Sequence, residues 1–186
     1  LELNRRQYDM RLSFFIHHRS DRIEALLEDY PGVAEAEAWY SATGTVLREG
    51  EEMEDTGGLG AELFGIPPGS TMYAPLIIDG RWLAPEDTGR VAVISRDIAE
   101  FNDVAVGDTI TINLGDLGEA DFEIIGTYQA ISPDVFSTDP IYAPAPAVVG
   151  VTRQANRANQ VVIRTTGDDI DNSALLMQLD EYLNSY

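Results

Sequence analysis

The sequence predicts an α+β fold in which both ends of the chain build layers of strands and helices around a small β-rich insertion. Residues 8–40 read as a strand, a helix and a second strand. Residues 160–183 read as a strand followed by a helix. Between them, residues 109–125 alternate as a β-hairpin does. We therefore expect residues 1–72 and 131–186 to form one discontinuous α+β subdomain, and residues 73–130 to form an inserted strand–helix–hairpin subdomain.

The opening strand is predicted from regular alternation. Its apolar face consists of Tyr8, Met10, Leu12, Phe14 and Ile16. Ser20 or Asp21 is the predicted N-cap of a helix, whose apolar residues follow at helical spacing up to Tyr30. Pro31-Gly32 ends this helix, and Val33 to Tyr40 returns as a strand.

The central stretch, Leu76 to Tyr128, supplies the insertion. An apolar run ends in the turn Asp79-Gly80-Arg81. Val91 to Ile94 reads as a buried strand that runs into a short helix capped by Ser95. Thr109 to Leu114 and the segment from Phe122 to Ile125 then form the hairpin. Weaker patterns predict strands at residues 43–48 and 61–66.

The segment 132–146 contains four prolines and is predicted to be an irregular surface excursion. Exposed apolar patches often mark interaction sites, so we expect this segment to contact a partner. The apolar residues proposed for that contact are Val135, Phe136, Ile141 and Tyr142. Strands are predicted at Val148–Val151 and Gln160–Thr165, and Asp171 or Asn172 is expected to cap a final helix with an apolar stripe.

Charge and composition exclude several functions. The chain has 32 acidic and 12 basic residues, a formal net charge of −20, and all its basic residues are arginines. Such a surface repels nucleic acid and anionic lipid headgroups, so neither is an expected partner. The absence of lysine excludes a phosphate-loop lysine or a Schiff base. The absence of cysteine excludes disulfides and thiolate metal sites.

Few residues suggest chemistry, and we expect no catalytic residue, no cofactor and no metal. His17 and His18 are adjacent in an extended segment, point in opposite directions and form a poor chelating pair. The acidic run from Glu49 to Asp55 lacks the residue order of a calcium-binding loop. Arg81 lies between a turn glycine and Trp82. It is expected to pin the strand end, to bridge a carboxylate or to contact a partner.

The order of several short motifs resembles one family. These motifs are the Gly80-Arg81 pair, the strand-to-helix segment from Ala92 to Ala99, Val106-Gly107-Asp108 before the hairpin, the Phe-x-Ile-Ile-Gly run that ends at Gly126, and Pro31-Gly32-Val33 at the first helix end. Together they resemble the MacB-like periplasmic core domain of MacB/FtsX-type ABC transporter permeases, which lies between the first two transmembrane helices of those proteins.

The resemblance implies a porter-like α+β part built from both chain ends, with a smaller inserted subdomain. It implies an extracytoplasmic location and anchoring by membrane helices before Leu1 and after Tyr186, so that both ends emerge on one side. The implied partners are a second permease subunit, a cytoplasmic ABC ATPase reached through the membrane helices, and an extracytoplasmic protein or substrate. The implied role is non-catalytic: the domain couples movement of the membrane helices to the outside.

Two alternatives remain open from the residues alone. One is a stand-alone secreted or cell-surface binding module that recognises a peptide or sugar through its apolar loop. The other is a hydrolase that uses acidic residues, since 32 acids leave many carboxylate pairs available. A pocket that brings two acids together with displaced pKa values would favour the hydrolase.

Overall fold

A computed structural model of the protein describes residues 6–48, 59–130, 139–167 and 172–184. The described residues form nine strands and four α-helices, which confirms the predicted α+β class. In chain order they are β1 (Met10–His18), α1 (Ser20–Leu27), β2 (Val33–Arg48), β3 (Leu59–Ile66), β4 (Ile77–Gly80), β5 (Val91–Ser95), α2 (Arg96–Asn102), β6 (Thr109–Asn113), β7 (Glu119–Tyr128), β8 (Asp139–Pro144), α3 (Ala145–Thr152), β9 (Ala158–Thr165) and α4 (Asn172–Asn184).

The chain divides into two compact units. Unit 1 comprises Leu1–Tyr40, Thr71–Ala74 and Asn156–Tyr186, and unit 2 comprises Ser41–Ser70 and Pro75–Ala155. This division differs from the predicted boundaries, 1–72 with 131–186 and 73–130, because residues 41–70 and 131–155 lie in unit 2. The prediction that both chain ends emerge on one side concerns Leu1 and Tyr186, which lie outside the described residues.

Unit 1 packs two helices on a three-stranded antiparallel sheet. Strand β9 lies in the middle and pairs with β1 on one side and with residues 33–39 of β2 on the other. The predicted apolar stripes of both helices face the sheet. The buried core residues of this unit are Met10, Leu12, Ile23, Leu27, Val33, Ala38, Ala158, Val161, Ile163, Leu175, Leu179 and Leu183.

Strand β1 departs from the predicted alternation halfway along. Ser13 pairs with Gln160 and His18 with Ala158, so residues 14–17 lie opposite the single residue Asn159. The extra residues form a bulge, and a bulge shifts the side chains that follow it off the regular period of two. As a result Phe15 (109% exposed) and Ile16 (68%) face solvent. The prediction that Ile16 shares a buried face with Met10 is wrong.

The N-termini of α1 and α2 differ in how they are capped. Ser95 Oγ accepts a hydrogen bond from Ile98 N at 3.1 Å, which confirms the predicted cap of α2. No side chain at the predicted positions caps α1. Instead Asn156 Oδ1, from a distant part of the chain, accepts hydrogen bonds from Asp21 N at 3.1 Å and from Ser20 Oγ at 2.6 Å.

Unit 2 is built on a mixed sheet with the strand order β3-β8-β5-β7-β4. Strand β6 pairs antiparallel with β7 from Thr109 opposite Glu123 to Asn113 opposite Glu119, which confirms the predicted hairpin. The other edge of β6 pairs with residues 45–48 of β2. Strands β3 and β8 are parallel, as are β5 and β7.

The prediction that the proline-rich segment 132–146 is irregular is wrong from residue 139 onward. Asp139–Pro144 is strand β8, between β3 and β5 in the strand order, and Ala145–Thr152 is helix α3 where a strand was predicted. The prolines do not prevent this, because Pro144 is the N-cap and Pro146 lies in the first turn of α3, where no backbone N–H is needed. A short apolar run such as Val148–Val151 fits a helix or a strand equally well.

Two glycines of unit 2 allow β4 and β7 to approach closely. Gly80 and Gly126 are paired directly across the ladder. A Cβ on Gly80 would overlap Ile125 O of β7, and a Cβ on Gly126 would overlap Arg81 O directly after β4. Gly80 also has a φ of +69°. Both glycines belong to the motifs that carry the family resemblance. The close approach of the two backbones is the physical reason why these two positions require glycine.

Within the described ranges, no helix combines the length and the apolar character needed to cross a membrane.

Candidate functional site

Arg81 forms a clamp at the end of β4. Its Nη1 and Nη2 donate to the two carboxylate oxygens of Asp87 at 2.6 and 2.9 Å, and Nη1 also donates to Trp82 O at 3.1 Å. Asp87 Oδ2 accepts a further hydrogen bond from Ala84 N at 2.7 Å. The Asp87 side chain is 10% exposed and that of Arg81 is 52% exposed. Arg81 therefore bridges a carboxylate and fixes the segment 81–87 next to the strand.

The pKa values at this clamp follow from its hydrogen bonds. The hydrogen bonds from Arg81 lower the pKa of Asp87. Partial burial of the carboxylate raises this pKa, but the hydrogen bonds have the larger effect. The pKa of Arg81 is raised by the same hydrogen bonds. The pKa of Asp21 is likewise lowered, chiefly by its hydrogen bonds with Arg19. A general acid at neutral pH needs a raised carboxyl pKa, so neither aspartate has the property that the hydrolase alternative requires.

Ile141 and Tyr142 lie in β8 and are buried, with exposures of 0% and 7%. Tyr142 packs against three aromatic rings at centroid distances of 5.2 to 5.6 Å: those of Phe64, Trp82 and Tyr128. The prediction that Ile141 and Tyr142 belong to an exposed loop is therefore wrong, and they are core residues of unit 2. Val135 and Phe136 lie outside the described residues.

An open groove between α1 and the start of β2 carries four acids, Asp21, Glu24, Glu28 and Glu35. Glu24 Oε1 accepts a hydrogen bond from Ala38 N at 3.0 Å, and Glu35 accepts one from Arg164 at 2.6 Å. These contacts join helix to strand and strand to strand, so they give the two acids structural roles. Across the described ranges, no group of three or more histidine, aspartate or glutamate side chains is placed to hold a metal ion. The run 49–55 lies outside those ranges.

A small cavity that the sequence did not predict lies in unit 1, beside the bulge of β1. Its volume is about 180 Å³. Four of its lining residues are apolar: Phe14, Ile23, Leu26 and Leu183. The other four are basic: His17, His18, Arg19 and Arg22. We call this site the basic cavity. The sequence feature that could have indicated this site is the cluster of four basic residues within residues 17–22, in a chain that has only 14 arginines and histidines.

Ring contacts and an arginine hold the wall of the basic cavity. His18 packs edge-on against Phe14 at 4.8 Å, and His17 packs against Tyr40 at 5.3 Å. Arg157 Nη1 donates to His17 O at 3.4 Å. Arg19 pairs with Asp21 at 2.6 Å, and both side chains are more than half exposed. The predicted opposite orientation of the two histidines agrees with these separate ring partners.

Comparisons with solved structures first show the fold of this chain, which it shares with external domains of ABC-type transporters. The periplasmic region of MacB from Actinobacillus actinomycetemcomitans has 16% sequence identity and a TM-score of 0.62, and the similarity covers 94% of this chain and 81% of that one. The extracellular domain of the noncanonic ABC-type transporter YknZ from Gram-positive bacteria has 19% identity and a TM-score of 0.59, with 81% and 74% covered.

A domain of a candidate permease from Porphyromonas gingivalis has 14% identity and a TM-score of 0.52, with 87% of this chain and 74% of that one covered. At such identities these likenesses show the fold alone. The family profile of the MacB-like periplasmic core domain matches residues 6–182, so the chain belongs to that family. It is an extracytoplasmic domain of an ABC transporter permease of the MacB type. A search of curated proteins finds no significant match.

Proposed function

We propose that this domain transmits movement of the permease's membrane helices to a partner or substrate outside the membrane, without catalysing a reaction itself. In this proposal it works in a dimer of permease subunits, and a cytoplasmic ABC ATPase drives the movement through the membrane helices. One membrane helix precedes β1 and the next follows α4.

The observation that carries the proposal is the shared core of β1 and α4. Met10 and Leu12 of β1 pack in one buried cluster with Leu175, Leu179 and Leu183 of α4. Protein cores are close-packed and resist deformation, so a displacement of either element is passed to the other. The two elements that connect to membrane helices in this proposal would therefore move as one body.

The external partner, in this proposal, contacts unit 2 through Val135, Phe136 and Arg81. Half of the Arg81 side chain is exposed even though its guanidinium holds Asp87. Arginine and aromatic residues are enriched in protein interfaces, which supports these positions. Burial removes Ile141 and Tyr142 from this set.

Spin-label distance measurements on the full permease with its ATPase test the proposal. The domain contains no cysteine, so after replacement of any cysteine elsewhere in the permease a single label can be placed by Glu28→Cys at an exposed position directly after α1. In the dimer this gives one distance between the two subunits. We expect that distance to change by several ångströms between the nucleotide-free and ATP-bound states. Equal distances in both states, while the ATPase is active, would contradict the proposal.

A second label pair provides the matched control. Arg11 on β1 and Met177 on α4 are both exposed and lie in unit 1. If unit 1 moves as one body, the distance between labels at these two positions stays constant in every nucleotide state. A change at Arg11–Met177 as large as that at Glu28 would indicate deformation of the domain rather than transmitted movement.

A further inference from the structure

We propose that the basic cavity of unit 1 is a binding site for a small amphiphile that has one anionic head group and an apolar body of about six carbons. The site does not belong to the partner surface proposed above, and it does not depend on the coupling role. The apolar lining, the basic rim and the size of the cavity each specify one part of this ligand.

The apolar body is specified by the floor of the cavity. Phe14 from the β1 bulge, Ile23 and Leu26 from α1, and Leu183 from the end of α4 line it. Ligand pockets are typically lined in this way, with a few polar groups that fix orientation. The volume of about 180 Å³ slightly exceeds the roughly 150 Å³ of an apolar cavity that binds benzene. A six-carbon group therefore fits, and a longer tail would leave the cavity.

The anionic head group is specified by the rim, where Arg19, Arg22, His17 and His18 lie within six residues of one another. The only acid within that run is Asp21, which pairs with Arg19. Exposed ion pairs of this kind contribute little to stability, so Arg19 can exchange Asp21 for a ligand anion at small cost. Arg157 adds a further cation behind the bulge through its contact with His17 O.

The preference for an anion runs against the charge of the whole chain. A formal net charge of −20 attracts cationic ligands and repels anionic ones over the molecule as a whole. Salt screens that general field at distances beyond about 10 Å, whereas contacts inside a cavity are screened less. An anionic preference at physiological salt would therefore come from the rim of the basic cavity, and this makes the head-group charge the decisive variable.

Three ligands with the same six-carbon chain test this inference: hexyl sulfate (anionic), hexyl glucoside (neutral) and hexyltrimethylammonium (cationic). His17 and His18 are the only histidines in the chain, so their imidazole NMR signals report on the cavity alone. For a ligand of this size we expect hexyl sulfate to shift both signals with a dissociation constant on the order of 1 mM. We expect hexyl glucoside and hexyltrimethylammonium to bind about tenfold more weakly or not at all.

Two variants with the same change in net charge locate the binding. Arg22→Gln removes a rim charge and should weaken hexyl sulfate binding by about tenfold, because an interaction with a charged donor is lost. Arg90→Gln removes an exposed arginine of unit 2 and should leave the binding unchanged. Arg22 lies on the exposed face of α1, so we expect this variant to fold, and circular dichroism melting checks that it does. Arg19→Gln serves as a second rim variant.

Several results would overturn the inference. Equal affinity for hexyl glucoside would show a plain apolar patch without anion recognition. Equal weakening by Arg90→Gln would show that only the net charge matters. Unchanged histidine signals would show that the cavity is not occupied. A dimer detected by light scattering, with broadened histidine signals and no response to hexyl sulfate, would assign the cavity to contacts with a second copy of the chain.

Discussion

Replacing Gly126 by alanine should destabilise unit 2, although alanine is normally the better residue inside a strand. Gly126 lies opposite Gly80 in the β4–β7 ladder. A Cβ at Gly126 would overlap Arg81 O and lie 3.0 and 3.1 Å from Arg81 C and N. These are backbone atoms, and a flexible side chain is not available to move aside. Strand β4 would have to shift away from β7.

The cost of that shift can be worked out from the bonds it disrupts. Arg81 N donates to Ile125 O at 2.9 Å, next to the site of overlap. Losing one or two ladder hydrogen bonds costs about 1 kcal/mol each, and overpacking adds about 1–3 kcal/mol. Reduced chain entropy in the unfolded state returns about 0.4–1 kcal/mol. We therefore expect Gly126→Ala to lower the free energy of unfolding by about 1–4.5 kcal/mol.

Urea denaturation followed by circular dichroism measures this change, with Gly150→Ala as the matched control. Gly150 lies in helix α3, and a Cβ there meets no atom within 4 Å. Since alanine has a higher helix propensity than glycine, this control should raise the free energy of unfolding by up to about 1 kcal/mol. If Gly126→Ala unfolded at the same urea concentration as the wild type, the inferred close approach of the β4 and β7 backbones would be wrong.

Two further predictions concern named contacts of the two units. Replacing Asp87 by alanine should cost about 1–2 kcal/mol near pH 7, because it removes a charge-assisted pair whose partner, Arg81, is half exposed. Since the folded-state pKa of Asp87 is lowered, its contribution is full above the ordinary aspartate pKa and is lost as pH falls through the folded-state value. The difference between wild type and Asp87→Ala in urea denaturation should therefore shrink as the pH falls below the ordinary aspartate pKa, and a constant difference would refute this account. In unit 1, Asn156→Gly should cost about 1 kcal/mol through loss of the α1 cap, and Asn156→Ala about 1 kcal/mol more, because Asn156 has a φ of +54°. Equal stability of the two variants would show that backbone strain at this position is negligible.

Patterns confined to neighbouring residues predicted the fold correctly where local physics decides it. Ser95 caps α2 three residues on, as its side chain and spacing require. The alternation of Thr109 to Leu114 specified a hairpin whose strands are close in sequence. The apolar stripe of α4, with Leu175, Leu179 and Leu183, is buried as its spacing predicts. In each case the determining interaction spans only a few residues, so the sequence window contains it.

Predictions failed where a distant segment supplies the determining contact. Asn156 caps α1 from more than a hundred residues away, so the prediction that Ser20 or Asp21 is the cap was wrong. Pro140 lies in β8 because β3 and β5 flank that strand in the sheet of unit 2, a context that its own proline-rich neighbourhood does not reveal. The bulge at Phe15 depends on the register between β1 and β9, which no pattern within β1 encodes.

The amino-acid sequence predicts the α+β class, the hairpin, the apolar helix stripes and an acidic surface without lysine or cysteine. These follow from composition and from periodicity over a few residues, and the motif order that resembles the family is also local. Contacts between distant segments determine which apolar residues are exposed, how Gly80 meets Gly126, and that Phe14, Arg22 and Leu183 line one cavity. The physical reason is that register, close backbone approach and cavity lining are relations between segments far apart in the chain.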